Sequence, residues 1–356
     1  MSLQELDQAK AEAFGGQLLS SMNSGMLTLM ISIGHRTGLF DTMSTMGPSS
    51  SEEIAKAAGL NERYVREWLG GMVTGHIVEY DPKTGYRLPP EHAGFMTRAA
   101  GPNNFAQFAQ FIAMLGNVED EIVASFHKGG GVPYSRFPEF QRLMAEMSGA
   151  IYDAALVEGV LTLVDGLVDR LKSGIDVADV GCGSGHAINV MAAAFPNSRF
   201  TGYDFSEEGI EQGRKEAADR GLSNTTFEVK DAATLSGPPQ FDLITVFDAI
   251  HDQAKPRRVL KGIADALRDD GVFLCIDVQA SSNLEDNVEH PLGPFLYTVS
   301  TMHCMTVSLA LDGEGLGTAW GEQKAIELFK EAGFKTVDVK TVEGDFFNNY
   351  YIARKS

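Results

Sequence analysis

Three glycines at alternate positions directly follow an apolar run in Val177-Ala-Asp-Val-Gly-Cys-Gly-Ser-Gly-His186. Asp179 lies within the run, and Gly181, Gly183 and Gly185 come after it. The pattern predicts a strand ending in a loop whose backbone approaches a ligand closely, because glycine allows turns and contacts that a Cβ forbids. A dinucleotide fingerprint, G-x-G-x-x-G, would place its third glycine at position 186, which is His, and a P-loop would end in Gly-Lys-Ser/Thr, with no lysine here. The ligand is therefore expected to lack a pyrophosphate. A bare strand-to-helix turn would also account for the three glycines, so the neighbouring segments have to decide.

Three further acidic or basic positions recur at the ends of apolar runs. Residues 187–195 read as a helix and Arg199–Tyr203 as a short strand with Asp204 at its end. An acid at the carboxyl end of the second strand of an open α/β sheet can accept both ribose hydroxyls of a nucleoside. Its alternative use is to cap the next helix, a task Ser206 can perform itself, leaving Asp204 free. Glu211–Arg220 reads as a polar helix with Gly221 just past its end. Thr226–Lys230 reads as a strand ending in Asp231-Ala232, where a carboxylate can accept from an adenine amino group and the next N–H can bind a ring nitrogen. Phe241–Phe247 is a fourth, apolar strand, followed by Asp248-Ala-Ile-His251-Asp252. A helix at Arg257–Leu267 leads through Asp269-Asp-Gly271 into a fifth strand, Val272–Asp277.

Strands alternating with helices predict a parallel, doubly wound sheet, and such sheets bind ligands at the carboxyl ends of their strands. The glycine loop, Asp204, Asp231 and His251 all fall on that one edge. The chain closes with Thr336–Val342 and Asn349–Arg354 as strands.

On these residues the chain resembles class I S-adenosylmethionine-dependent methyltransferases: the glycine motif, Asp204, Asp231, the fourth strand and the Asp-Gly before the fifth all match, over about residues 140–356. Phe247–Gln253 and Met302–Leu309 further resemble a bacterial group of these enzymes with an N-terminal winged-helix domain, which extends the likeness over nearly the whole chain. The resemblance implies a Rossmann-like domain with a mostly parallel seven-stranded sheet. It also implies S-adenosylmethionine as methyl donor, S-adenosylhomocysteine as product, and a small, partly hydrophobic acceptor methylated on oxygen. It places Asp179, Gly181, Gly183, Gly185, Asp204, Phe205, Asp231, Ala232 and Phe247 at the donor, together with Met144, which stands one helical turn from Phe140.

Methyl transfer from a sulfonium needs the acceptor aligned with the methyl carbon and often relieved of a proton. Histidine suits the second task because its ordinary pKa lies near neutrality. His251 is one candidate base; the competing reading pairs it with Asp248 or Asp252 as a structural residue. His303 is the other. It lies in an insertion, about residues 281–320, that is expected to close over the acceptor, with Phe295, Tyr297, Met302, Met305 and Trp320 giving it apolar surface. No carboxylate and histidine cluster stands at metal-ligand spacing, so metal-assisted transfer is not expected.

At 356 residues, two domains are expected, divided here into a winged-helix and dimerisation domain (1–100), a helical connector (101–174) and a donor-binding domain (175–356). Hydrophobic residues make up 44 % of the chain, enough for a sizeable core. No run of about 18 apolar residues predicts a membrane span, and no secretory leader pattern opens the chain. Cys182, Cys275 and Cys304 form no disulfide framework, so a cytoplasmic protein is expected.

Residues 4–35 carry helical patterning, with Leu18, Leu19, Met22, Met26, Leu29, Met30 and Ile33 as an apolar stripe suited to a core or a dimer face. Ser51–Gly59, Glu62–Val73 and a hairpin over Ile77–Leu88 read as a winged helix. Its would-be recognition helix balances Arg63 and Arg66 against Glu62 and Glu67. Residues 1–100 hold eight basic and eleven acidic side chains, and the whole chain has a formal charge of −19. Duplex binding needs a basic face, so a nucleic-acid partner is not expected. A transcriptional regulator and a catalytically silent donor-binding protein are the alternative functions.

Overall fold

The computed structural model describes residues 6–342, 345 and 347–356. The chain forms two compact units, Met1–Gly116 and Asn117–Ser356. The division falls inside the segment 101–174 that the sequence reading sets apart as a connector.

The first unit opens with α1 (Gln8–Thr37), whose first turn is capped by the Asp7 carboxylate on the Lys10 N–H and which ends at Gly38 with φ 72°. The expected start near Gln4 lies outside the described residues. Next come α2 (Leu39–Ser44), α3 (Ser51–Ala58) and α4 (Glu62–Thr74). Ser50 and Glu53 cap α3 reciprocally, each side chain accepting the other's backbone N–H. Strands β1 (Glu79–Asp81) and β2 (Gly85–Arg87) pair antiparallel, and the Asp81 carboxylate accepts the Lys83 and Thr84 N–H groups within their turn. Two further helices, α5 (Pro90–Met96) and α6 (Gln110–Gly116), complete the unit. Its core gathers Phe40, Ile54, Val65, Trp68, Leu69 and Met72.

On α4, Val65, Trp68 and Leu69 are buried as their spacing suggests, but Tyr64 is 80 % exposed. It follows Arg63 on the solvent face, where Arg63 pairs with Glu67 (2.5 Å) and Arg66 with Glu62 (3.2 Å). The arginines of the would-be recognition helix thus already have carboxylate partners.

The second unit begins with α7 (Glu119–Lys128) and α8 (Phe140–Ile151), the latter continuing without a break into a π-helical stretch, Tyr152–Val160. After α9 (Leu167–Ser173) come β3 (Asp176–Val180), α10 (His186–Ala194), β4 (Arg199–Asp204), α11 (Glu207–Asp219), β5 (Thr225–Val229) and β6 (Phe241–Phe247). Then follow α12 (Pro256–Ala266), β7 (Leu267–Val278), α13 (Gly293–Val299), α14 (Met305–Leu309), α15 (Gly321–Ala332), β8 (Thr336–Lys340) and β9 (Asn348–Arg354). Among the described residues these strands form one seven-stranded sheet in the order β5-β4-β3-β6-β7-β9-β8, parallel except where β9 runs antiparallel to β7 and β8.

Successive strand residues point to opposite faces, and both faces are covered. Ala178, Val180, Ile244, Val246, Phe273 and Cys275 pack with Leu260 and Ile263 of α12 and Phe329 of α15. Val177, Leu243, Val272 and Leu274 pack with Ile188 and Met191 of α10 and with Leu156. This two-sided burial explains why the strands read as near-continuous apolar runs.

The two edges of the sheet differ in charge. At the amino ends, Asp242 accepts hydrogen bonds from Arg170 (3.3 Å) and Arg268, while Asp176 pairs with Arg199 (2.6 Å) and Arg268 (3.1 Å). At the carboxyl ends the chain crosses from β5 to β6, so the strand order reverses between β3 and β6. A crevice opens at such a reversal.

Candidate active site

The loop after β3 is shaped by its glycines. Gly181, Gly183 and Gly185 have φ of 78°, 54° and 72°, a region that costs most side chains strain. Space forbids a side chain as well: a Cβ on Gly181 would lie 2.6 Å from the Ala249 Cβ, and one on Gly185 2.3 Å from the Phe227 ring. The Gly181 and Cys182 N–H groups both donate to the Tyr203 carbonyl (2.8 and 3.0 Å), which ties the loop to β4.

Asp204, at the end of β4, is not free. Ser206 does cap α11, accepting the Gly209 N–H at 3.1 Å. The Asp204 carboxylate nevertheless accepts from the Gly183 N–H (2.9 Å) and the Ser206 N–H (2.8 Å). A carboxylate has about four lone-pair sites, so capacity for a ligand remains. Asp231 similarly accepts the Ala233 N–H (2.8 Å) and starts the short 3₁₀ turn Ala232–Thr234.

A cavity of about 550 Å³ lies over this loop, within the size range of small-molecule sites. Asp179, Gly181, Gly183, Asp204, Phe205, Asp231, Ala232, Phe247 and Met144 line it, and Gly185 stands behind the lining. The opposite wall is helical: Phe140, Gln141, Met144, Ser148 and Tyr152 project from α8 and its continuation. Of the five apolar residues expected from the insertion 281–320, none lines this cavity; that segment contributes Val307 and Leu311. Trp320 is turned inward instead, its indole N–H donating to Asp277 at 3.1 Å.

The cavity is bordered by buried and half-buried acids that, among the described residues, have no Lys or Arg partner. Among the described residues none of Asp179, Asp204, Asp248, Asp252 and Asp277 pairs with Lys or Arg; the ion pairs of the sheet lie at its other edge. Burial raises Asp179 to about 7, against the stabilising hydrogen bond from the Thr245 hydroxyl (2.7 Å). Burial also raises Asp204, offset in part by its backbone donors. Asp248 rises to about 7 through burial and the charge of Asp277, and Asp252 to about 6 through burial. Asp248 adopts φ 51°, a strained conformation for this residue, and its buried Oδ1 has no hydrogen-bond partner. Strain and an unmet acceptor at one position mark a site kept for something other than stability.

His251 is buried, and its Nδ1 lies 2.7 Å from the Asp277 carboxylate. Neither Asp248 nor Asp252, the partners suggested by sequence proximity, makes this bond. Asp277 stands at the end of β7, beside β6, so the sheet brings it there. Burial alone would lower the His251 pKa, but the charge of Asp277 and the hydrogen bonds to Asp277 and Cys304 leave it well above the ordinary value. The ring does not line the cavity; Asp248, Ala249, Asp252 and Gln253 on either side of it do.

His303 lies on the π-helical turn Ser300–Cys304 between α13 and α14, with no exposed surface. Its ring stacks on Phe140 (3.7 Å between centroids) and meets Phe137 and Tyr134 edge-on. Burial and the nearby His251 lower its pKa to about 3, and neither ring nitrogen has a hydrogen-bond partner among the described residues. It sits one layer behind the cavity wall that Tyr134 and Phe140 form.

Several neighbours were not singled out from the sequence. Asp277 had the clearest signal, as an acid closing a fifth apolar strand. Thr245 projects beside Asp179 because the two residues are register partners on β6 and β3. Tyr134 and Tyr152 come from the helical segment before the sheet, where nothing in the spacing distinguishes a cavity wall from core.

Comparison with known proteins agrees with this architecture. Residues 25–98 match the model of the Rv2258c-like winged HTH domain, and residues 171–333 that of a methyltransferase domain. The uncharacterized methyltransferase YcgJ of Bacillus subtilis is 32 % identical over 117 residues, which is 32 % of this chain and 46 % of that protein. The chain thus spans about half the length of the curated relatives it matches. The mitomycin 7-O-methyltransferase MmcR superposes with a TM-score of 0.72 at 17 % identity, covering 98 % of this chain and 99 % of that one. Human N-acetylserotonin methyltransferase, solved in complex with SAM, gives 0.68 at 16 % identity over 99 % and 100 %. The two domain matches give the chain a winged HTH domain followed by a methyltransferase domain, and the strand order and the glycine loop at its reversal are those of the Rossmann-like fold of class I S-adenosylmethionine-dependent methyltransferases.

Proposed function

We propose that this protein transfers a methyl group from S-adenosylmethionine to an oxygen of a small, partly hydrophobic acceptor, with His251 as the base. The observation that carries the reading is the buried His251–Asp277 pair next to a cavity whose acids, among the described residues, lack Lys or Arg partners. Those residues suit the donor. The glycine cradle leaves room for a ligand at the backbone, Asp204 and Asp231 stand at the ends of β4 and β5 for ribose and adenine, and the unpartnered acids suit a cation.

The bound donor supplies a methyl group already activated by a sulfonium. What remains for the chain is to hold, orient and deprotonate. Asp277 fixes the His251 ring and the tautomer of its neutral form, as a carboxylate on Nδ1 does for other histidine bases. The Asp277 charge holds the ring's proton more tightly than a free imidazole would. Asp179, Asp248 and Asp252 would be the acids available to a bound cation. His303, stacked among Phe137, Phe140 and Tyr134 and lowered to about 3, has no comparable orienting partner among the described residues and is given no proton-transfer role.

The proposal is tested by supplying labelled donor with phenolic, catecholic and polyketide-like acceptors and measuring S-adenosylhomocysteine. Donor binding without turnover on any of them would leave a silent binding protein. A thermodynamic check accompanies it. Cation binding lowers the pKa of acids held near 6 and 7, so at pH 7 titration with S-adenosylmethionine releases protons, and the uncharged thioether product releases fewer. Calorimetry in two buffers of different ionisation enthalpy reads the difference directly; equal proton release would remove the acids from the sulfonium.

Helix α1 supports a homodimer. Phe14, Leu18, Leu19, Met22, Met26 and Ile33 are 48–69 % exposed along it, an apolar stripe of the kind that marks a protein-contact surface. Sedimentation should show a particle of two chains, and replacing Leu18 and Met22 with glutamate should yield one; a wild-type monomer would end this part of the reading.

A further inference from the structure

The helical wall of the cavity is attached to the sheet domain at one conspicuous point. His186, the first residue of α10 and a lining residue of the cavity, lies between two carboxylates. Its Nδ1 is 2.7 Å from Glu216 on α11, and its Nε2 is 3.0 Å from Asp153 in the π-helical continuation of α8. Glu216 is held in place by the Asn189 amide (3.1 Å) and by Arg220 (2.6 Å). The wall passes close against the ring: a Cβ on Gly149 would sit 3.8 Å from the His186 Cδ2. Phe140, Gln141, Met144, Ser148 and Tyr152 ride on that same continuous helix.

We propose that His186 is a positioning residue that latches this helical wall to the glycine loop, and that exchange of the ligand requires the latch to open. Naming that ligand as the methyl donor rests on the proposed function; the latch itself does not. Glycine loop, α11 and wall helix meet at one imidazole, so movement of the wall registers directly at the first turn after Gly185. The charged and titratable groups facing the ring are Asp153 from the wall helix and Glu216, with Arg220 behind it, from α11. The ring thus joins the wall, through Asp153, to α11, through Glu216. The Asp153 carboxylate is 62 % exposed, so its bond is screened by water, and an effect of about two- to fivefold is expected.

Hydrogen exchange on the full-length, ligand-free protein reads the latch without reference to any ligand. In His186→Gln the amides of residues 140–160 should exchange about two- to fivefold faster than in wild type, with the strands unchanged. Asp153→Asn, which leaves the glycine loop untouched, should give the same local acceleration. Dissociation of S-adenosylhomocysteine should accelerate by the same factor in the Gln and Asn variants. Unchanged exchange in 140–160, or acceleration spread equally over the sheet, overturns the latch. Failure of wild type to bind the thioether overturns the proposed function instead, and the exchange result still decides the latch.

Discussion

Replacing His251 with alanine should lower turnover by about two to four orders of magnitude, the usual contribution of a positioned general base, while donor affinity stays within about threefold. The expectation follows from geometry. His251 is fixed by Asp277, flanked by the cavity residues Asp248 and Asp252, and absent from the cavity lining itself. Steady-state rates and calorimetry on the same preparation separate the two quantities. Equal loss of both would move His251 from proton transfer to donor binding. The pH profile provides a second reading with a definite sign. A base works only when deprotonated, and the Asp277 carboxylate holds the His251 proton more tightly than in a free imidazole. The rate should therefore fall as pH drops, starting above the ordinary histidine range. Asp277→Asn removes that charge and should shift the falling limb to lower pH while reducing the plateau rate.

Asp204→Ala should weaken donor binding by about 10- to 100-fold, the worth of a hydrogen bond to a charged group, with a smaller effect on the maximal rate. Two roles meet in this carboxylate. It accepts the Gly183 N–H, bracing the glycine loop, and it keeps lone pairs for a ribose. Asp204→Asn distinguishes them, because the amide oxygen can still accept from Gly183 while the charge is lost. If the Asn variant keeps the wild-type melting temperature yet binds donor poorly, the ribose contact is the dominant role. Unchanged affinity in both variants would remove Asp204 from the donor site.

Much of this site was legible in the sequence because its parts are strand ends. A buried parallel strand announces itself as an apolar run, and whatever polar residue terminates it lands at the same edge as its counterparts. Asp204 and Asp231 were found in this way and line the cavity, as do Asp179 and Phe247, which the resemblance supplied. The pairing of His251 was not, because nearness in sequence favoured Asp248 and Asp252. The sheet order instead lays β7 beside β6 and delivers Asp277 from 26 positions away. Helical features were less legible still. The stripe on α1 and the pair Phe140–Met144 have the same spacing, yet one is exposed and the other lines a cavity; helical periodicity marks a face without saying what covers it.

The segment between β7 and α15 has a consequence for how such an enzyme can diversify. Every carboxylate facing the cavity is anchored to the sheet or to the turns leaving it, whereas residues 281–320 reach the cavity only through Val307 and Leu311. Changes in that stretch can reshape which molecules enter while the machinery for the shared reagent is inherited intact. One scaffold can thereby acquire new chemistries of recognition without relearning the reaction.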